Sequence, residues 1–388
     1  MRAIIKLLVC VFYLVLGTSL QAQDSLYYRQ TIAKLTSDDF HGRGYAFKGD
    51  SIAARFIASE MERFNLEKWT PDYYQTYFLN MNTFEGETYF SFGENYPAPE
   101  LFENTQFMAY SHSTKGEFIV KAIKAKEVYK QKKRKFKNQE NLFLLIDISD
   151  LDTKDSIQKE MYHAVLRAAN LNMYQVKGYI LVSKNLLPWH LAYGKLQLEH
   201  LTLNVTKEYV KTTPKKIEVN VESNYIENYE TQNVCGYIKG KTYPDSFFVC
   251  IAHYDHLGRF GKDYVFYGAN DNASGTAFVL DLARHYSQPE NQPDYSIAFL
   301  IVSGEEIGLL GSMYYVDHSF FPISHIKTAI NFDMVGTGED GITMVCGKAF
   351  PEEFEKFKTL NQTHNYLSKV VDREATSNSD HYPFYREG

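Results

Sequence analysis

Cysteine is scarce in this chain, with four residues among 388, and no two of them stand in a CxxC spacing. That excludes a disulfide scaffold and a thiolate zinc finger. Cys10 falls in the first 22 residues, which leaves Cys235, Cys250 and Cys346. Cys235 and Cys250 lie symmetrically about an expected hairpin turn at Lys241–Tyr243, which leaves a cross-strand disulfide open. The reading adopted is that both are small buried thiols. An excess of basic charge is also missing: 41 Lys and Arg face 47 Asp and Glu, a net charge of −6. A general nucleic-acid binder shows the opposite balance, so no nucleic-acid partner is expected. The basic run from Lys121 to Lys137 has no aromatic stacking platform beside it and reads as solvated surface. No apolar run reaches the roughly 20 residues of a spanning helix. There is no internal repeat and no low-complexity tract. Hydrophobic residues at 44% and charged residues at 23% exclude a disordered, collagen-like or coiled-coil chain.

What is present begins with an export signal. Arg2 and Lys6 precede the short apolar run Leu7–Gly17, and Ala22 is a small residue suited to cleavage. Residues 1–22 are therefore expected to direct export to a periplasmic or extracellular location, with no stable membrane insertion after cleavage. Three regions follow. In 23–70, Asp50 or Ser51 is expected to cap a helix that turns Ile52, Phe56, Ile57, Met61 and Phe64 to one face. In 71–225, strands at 141–147 and 177–183 flank a helix at 157–170, which suggests a smaller inserted mixed α/β domain. In 226–388, strands at 234–239, 246–252, 295–303, 326–333 and 342–346 alternate with helices at 272–286, 306–317 and 352–364. That alternation predicts an α/β fold, a central sheet sandwiched by helices. The 30 tyrosines and 27 phenylalanines suit a large core.

The chemistry gathers at strand ends. His253 follows the apolar run FFVCIA, Glu305 and Glu306 follow YSIAFLIVSG, and Asp333 follows IKTAINF. Asp271 precedes the helix opening at Asn272, and His381 lies in SNSDHYPF. Ligands in open α/β sheets bind beyond the carboxyl ends of the strands. Singly, each residue has an ordinary reading as a cap, a favourable helix-start charge or a surface histidine. Together they place imidazole nitrogens and carboxylates, both zinc ligands, on one rim. His253, Asp271, Glu306, Asp333 and His381 suffice for two cations with one acid shared. Glu305 is then left over beside a ligand, where a free carboxylate can take a proton from water. Asp255, two residues from His253, can accept the other ring N–H.

These stretches resemble a known family. AHYDHLG (252–258), GANDNASG (268–275), SGEEIGLLGS (303–312), NFDMVG (331–336) and SDHYPF (379–384) occur in the order found in the two-zinc aminopeptidases of metallopeptidase family 28. The resemblance implies two Zn²⁺ ions bridged by Asp271, with His253 and Asp333 completing one site and Glu306 and His381 the other. It implies Glu305 as general base, Asp255 as the group orienting His253, and a cis peptide between Asp271 and Asn272. It further implies an exopeptidase acting on peptide substrates, hydrolysing N-terminal residues through a hydroxide held between the metals. The segment TSDDFHGRG (36–44) is similar to the N-terminal part of bacterial members and suggests that 23–70 packs on the catalytic domain, 226–388. The region 71–225 resembles the protease-associated insert of the family.

Three alternatives stay open at this stage. Glutaminyl cyclases share the fold and much of the ligand set, carboxypeptidases of the same family keep the same metals, and some relatives bind without catalysis. Side-chain specificity and oligomeric state are not written in the sequence. His256, His285, His318, His325 and His364 read as surface or structural residues, and GTGEDG (336–341) as a turn. Asn204 and Asn361 stand in short glycosylation-type triplets. In the family a strand and a closing helix follow the last histidine segment, whereas this sequence stops seven residues after His381; a shortened catalytic domain is the expectation.

Overall fold

The computed structural model describes residues 24–387 apart from 132–135, 137–138, 190–191 and 194–196. The expected signal segment 1–22 and part of the basic run lie outside the described residues. In chain order the principal elements are α1 (Ser25–Leu35), α2 (Gly49–Arg63), β1 (Tyr74–Thr83), β2 (Thr88–Ser91), β3 (Thr105–Phe107), β4 (Thr114–Ala122) and β5 (Leu142–Asp147). Then come α3 (Ser156–Asn170), β6 (Gly178–Ser183), β7 (Leu201–Thr206), β8 (Lys216–Val221), β9 (Asn224–Ile238) and β10 (Tyr243–His253). The remainder are α4 (Gly275–Tyr286), β11 (Tyr295–Val302), α5 (Leu310–Asp317), β12 (Ile326–Asn331), α6 (Pro351–His364) and α7 (His381–Arg386). No helix among the described residues is long and apolar enough to cross a membrane.

Two sheets organise these elements. The main sheet runs β12-β10-β11-β9-β1, with two-residue strands added at Glu67–Lys68 and Ala192–Tyr193. β12, β10 and β11 are mutually parallel, while β11–β9 and β9–β1 are antiparallel. Strand periodicity explains why β11 reads as an unbroken apolar run. Ile297, Phe299 and Ile301 face the helices α1, α2 and α4, and Ala298, Leu300 and Val302 face Tyr315 of α5 and Phe384 of α7. The second sheet runs β2-β8-β4-β5-β6-β7-β3, with α3 covering the face that carries Leu144, Ile146 and Leu181.

Several expectations are corrected here. Strand β1 lies inside the span assigned to the insert, yet it pairs with β9 in the main sheet. Its alternate residues Tyr77, Leu79 and Met81 are buried against Tyr45, Tyr229 and Ile307, so the second sheet starts only at Thr88. The Cys235–Cys250 hairpin does not form, because β11 inserts between β9 and β10. Cys235 is opposite Leu300 and Cys250 opposite Phe299, on the two sides of β11, and both thiols are free. The helix expected from 306 begins at Leu310, because Gly304 (φ 76°) and Leu309 (φ 63°) are left-handed and break the turn before it.

Asp50 is the fourth correction. It starts α2 but makes no side-chain cap. Its carboxylate turns into the core, where it accepts hydrogen bonds from Tyr229 Oη at 2.5 Å and Thr231 Oγ1 at 2.9 Å. Burial pushes its pKa up to about 6, against those two bonds. The folded state therefore holds this proton longer than the unfolded chain does. Stability contributed by the protonated acid is lost as pH rises from about 4 through about 6, by roughly 3 kcal/mol at about 1.4 kcal/mol per unit. Asp50→Asn cannot ionise, so the wild type should lose stability relative to this variant between pH 4 and 7. Denaturant melts across that window test this, and parallel curves would contradict it.

Candidate metal centre

The rim follows from the parallel strands. His253 stands opposite Val302 across β10–β11, and Ile251 opposite Asn331 across β10–β12. The carboxyl ends of the three strands therefore open together, and the residues just beyond them meet. Asp271 arrives from the loop before α4, which is fixed from two sides. Thr276 Oγ1 donates to His253 O (2.9 Å), and Asn272 Nδ2 donates to Phe332 O (3.0 Å). Asn272 Oδ1 in turn accepts from Gly275 N and Met334 N. The peptide bond between Asp271 and Asn272 is cis.

Among the described residues, two groups of side chains could each hold a metal ion: His253, Asp271 and Asp333, and His256, Asp271 and Glu306. Asp271 is common to both. In the first, His253 Nε2 lies 3.3 Å from Asp271 Oδ1 and 3.5 Å from Asp333 Oδ1. In the second, His256 Nδ1 lies 2.5 Å from Glu306 Oε1. His253 Nε2 and Asp333 Oδ1 are buried without a hydrogen-bond partner. Buried polar atoms are ordinarily satisfied, and these two converge with further carboxylate oxygens on one point. Nitrogen and oxygen donors without thiolate fit zinc.

Around these groups the chain supplies support. The other ring nitrogen of His253 lies 3.1 Å from Asp255 O and 3.6 Å from Asp255 Oδ1. Asp255 is wholly buried and accepts from Glu305 N (3.2 Å) and Glu306 N (3.4 Å), with Tyr45 Oη at 3.4 Å. Ser379 Oγ donates to Asp333 Oδ2 at 2.6 Å. Asp380, also wholly buried, accepts from Ser312 Oγ, and burial pushes its pKa up to about 7. Glu305 belongs to neither group. Burial pushes its pKa up to about 9, and Asp380, Asp255 and Glu306 add to that against His253. Burial alone would push His253 down, but Asp255, Asp271 and Asp333 hold its pKa well above the ordinary value.

Of the residues singled out in the sequence, His253, Asp255, Asp271, Glu305, Glu306 and Asp333 thus stand around one centre. His381 belongs to neither ligand group. It is the first residue of α7, its Nε2 lies 2.9 Å from Thr376 O, and burial lowers its pKa. His256, read as surface or structural, is instead beside Glu306; its signal was its place three residues after His253 in HYDH. Arg43 was also missed. It is fully buried, and its guanidinium reaches backbone carbonyls on both sides of the Asp271 loop. Its signal was an arginine held between two glycines.

The fold is that of zinc aminopeptidases. The crystal structure of BSAP, a zinc aminopeptidase from Bacillus subtilis, superposes with a TM-score of 0.63 over 95% of this chain and 84% of that one, at 20% identity. A peptidase M28 precursor from Shewanella amazonensis gives 0.64 at 15% identity over 95% and 83%. Residues 233–388 match the model of peptidase family M28. Aminopeptidase YwaD of Bacillus subtilis is 30% identical over 193 residues, 48% of this chain and 40% of the relative. Leupeptin-inactivating enzyme 1 of Streptomyces exfoliatus is 33% identical over 130 residues, 31% and 27% respectively. The chain thus spans less than half the length of these curated relatives.

Proposed function

We propose that the protein is an exported zinc-dependent aminopeptidase. The observation that carries this reading is the pair of ligand groups sharing Asp271, with the free carboxylate of Glu305 beside them. The match of residues 233–388 to a peptidase family and the similarity to an aminopeptidase support the reaction class. Export rests on the signal-like segment 1–22, and a protease-associated role for the second sheet on its strand–helix–strand pattern.

In this reading His253 and Asp333 would hold one zinc, Glu306 and a histidine the other, and Asp271 would contribute to both. Bound zinc would polarise the scissile carbonyl and make water a better nucleophile. Asp255 fixes the ring of His253 through its Nδ1 side. Glu305 accepts the proton as water oxygen bonds to the carbonyl carbon, and it returns that proton to the amide nitrogen as the C–N bond breaks. The second histidine is His381 by the motif SDHYPF and His256 by the geometry above. His381→Ala is expected to lose one zinc per chain and His256→Ala to keep both. The opposite pattern in metal analysis would assign the place to His256.

The acidity of the centre gives a second expectation. Without a cation, Glu305 with a pKa near 9 and His253 with a raised pKa both carry protons at pH 7. A cation lowers both values, so zinc loading should release a net number of protons. Titration calorimetry in buffers of different ionisation enthalpy measures that number; proton uptake would contradict the arrangement.

Peptides with a free and with an acetylated N-terminus test the reaction. Release of the first residue from the free peptide alone, abolished by a chelator, is expected. Release of the last residue would make the protein a carboxypeptidase, and ammonia from an N-terminal glutamine peptide would make it a cyclase.

A further inference from the structure

Arg43 has no carboxylate partner among the ion pairs of the described residues, although its side chain is fully buried. A buried guanidinium carries five N–H donors in a fixed planar fork, and each needs an acceptor. All five are directed at main-chain carbonyls. Nε donates to Tyr254 O (2.8 Å), and Nη1 to Leu35 O (3.0 Å) and Tyr267 O (2.7 Å). Nη2 donates to Gly268 O at 2.7 Å and reaches Asp271 O at 3.5 Å. One side chain therefore joins the end of α1, the residue after His253, and the whole loop that delivers Asp271.

The local backbone is built to put it there. Arg43 itself has φ 54°, in the left-handed region that a side chain seldom adopts. Its neighbours permit the approach. A Cβ on Gly42 would stand 2.3 Å from Phe266 O, and one on Gly44 would stand 2.4 Å from Gly258 Cα. The turn is thus pressed backbone to backbone against the short antiparallel strands Gly258–Phe260 and Tyr264–Phe266, which precede the Asp271 loop. Strain kept at a functional site needs surroundings that over-determine it, and the five carbonyls do so. The positive charge also sits within the field of Asp255, Asp271 and Glu306, which offsets the cost of burying it.

We propose that Arg43 is a positioning residue: it fixes the backbone of 267–271 against the end of β10, and so sets where the shared carboxylate of Asp271 stands. The proposal rests on the reading of Asp271 as a ligand shared by two zinc ions. It makes the N-terminal segment part of the metal centre, although no residue of that segment is a ligand. Planar reach across five acceptors, rather than charge, carries the role. Lysine keeps the charge but presents its three donors from one point.

The test compares Arg43→Lys and Arg43→Gln with the wild type. Zinc affinity is read by competition with a chromophoric chelator, and kcat and KM are read at saturating zinc. Both variants are expected to bind zinc about 10–100-fold more weakly. At saturating zinc, kcat should fall while KM stays close to the wild-type value, and lysine should not rescue. A variant with lowered Tm but unchanged zinc affinity and kcat would make Arg43 merely structural and overturn the proposal. If neither variant folds, hydrogen exchange on the wild type decides. Zinc removal should then speed exchange in 35–44 together with 254–271, and a change confined to 253–271 overturns the coupling. A wild type that binds no zinc would instead remove the functional reading and this inference with it, whereas zinc-binding, active wild type with indifferent variants removes only the inference.

Discussion

Glu305→Gln is expected to retain zinc and fold and to lose roughly a hundred- to ten-thousandfold in kcat, the range that a positioned acid–base group contributes. The substitution keeps the shape of the side chain and removes only its capacity to take a proton. Glu305 is in neither ligand group, so metal content should not change. Its backbone N–H to Asp255 is untouched, which leaves the support of His253 in place. Burial, with Asp380, Asp255 and Glu306 nearby, raises its pKa to about 9, so the pocket already favours a neutral group and accepts an amide. A small gain in Tm beside a large loss of kcat is the expected combination. Turnover close to wild type in this variant would remove Glu305 from the reaction. Loss of zinc in it would make Glu305 a ligand.

Asp271→Ala should have an effect of similar size by a different route. This carboxylate belongs to both ligand groups, so its removal takes a ligand from each at once. Asp333→Ala and Glu306→Ala each take one. Asp271→Ala should therefore reduce zinc affinity more than either, with kcat/KM down on the order of a thousandfold at limiting zinc, about 4 kcal/mol. Its side chain is 39% exposed, so the fold should persist. Retention of two zincs by Asp271→Ala would show that the two groups do not share it.

The parts of the centre that could be read from the sequence share one physical origin. Apolar runs that lead to His253, to Glu305 and Glu306, and to Asp333 are neighbouring parallel strands of one sheet, and the residues just past their carboxyl ends meet on one rim. Asp271 and Asp255 were readable by proximity to those ends and by the motifs around them. The misreadings came from contacts between distant segments. The hairpin at Lys241–Tyr243 was a local inference, undone when β11 paired with both flanking strands. Asp50 looked like a cap because nothing nearby in sequence reveals the hydroxyls of Tyr229 and Thr231. β1 was placed with the insert because its partner, β9, lies 148 residues further on at Asn80 and Asn228. Arg43 was passed over because arginine ordinarily stays in solvent. Five carbonyls from three separate elements cannot be seen from one residue.

If zinc held on this rim enables removal of N-terminal residues from peptides, the reaction must depend on the metal. The most direct measurement is a zinc titration of chelator-stripped protein, following release of the first residue from a free peptide. No release is expected without zinc, and a rise that saturates at about two equivalents per chain is expected as it is added. Folded, zinc-loaded protein that releases nothing, or release that persists without zinc, would contradict it.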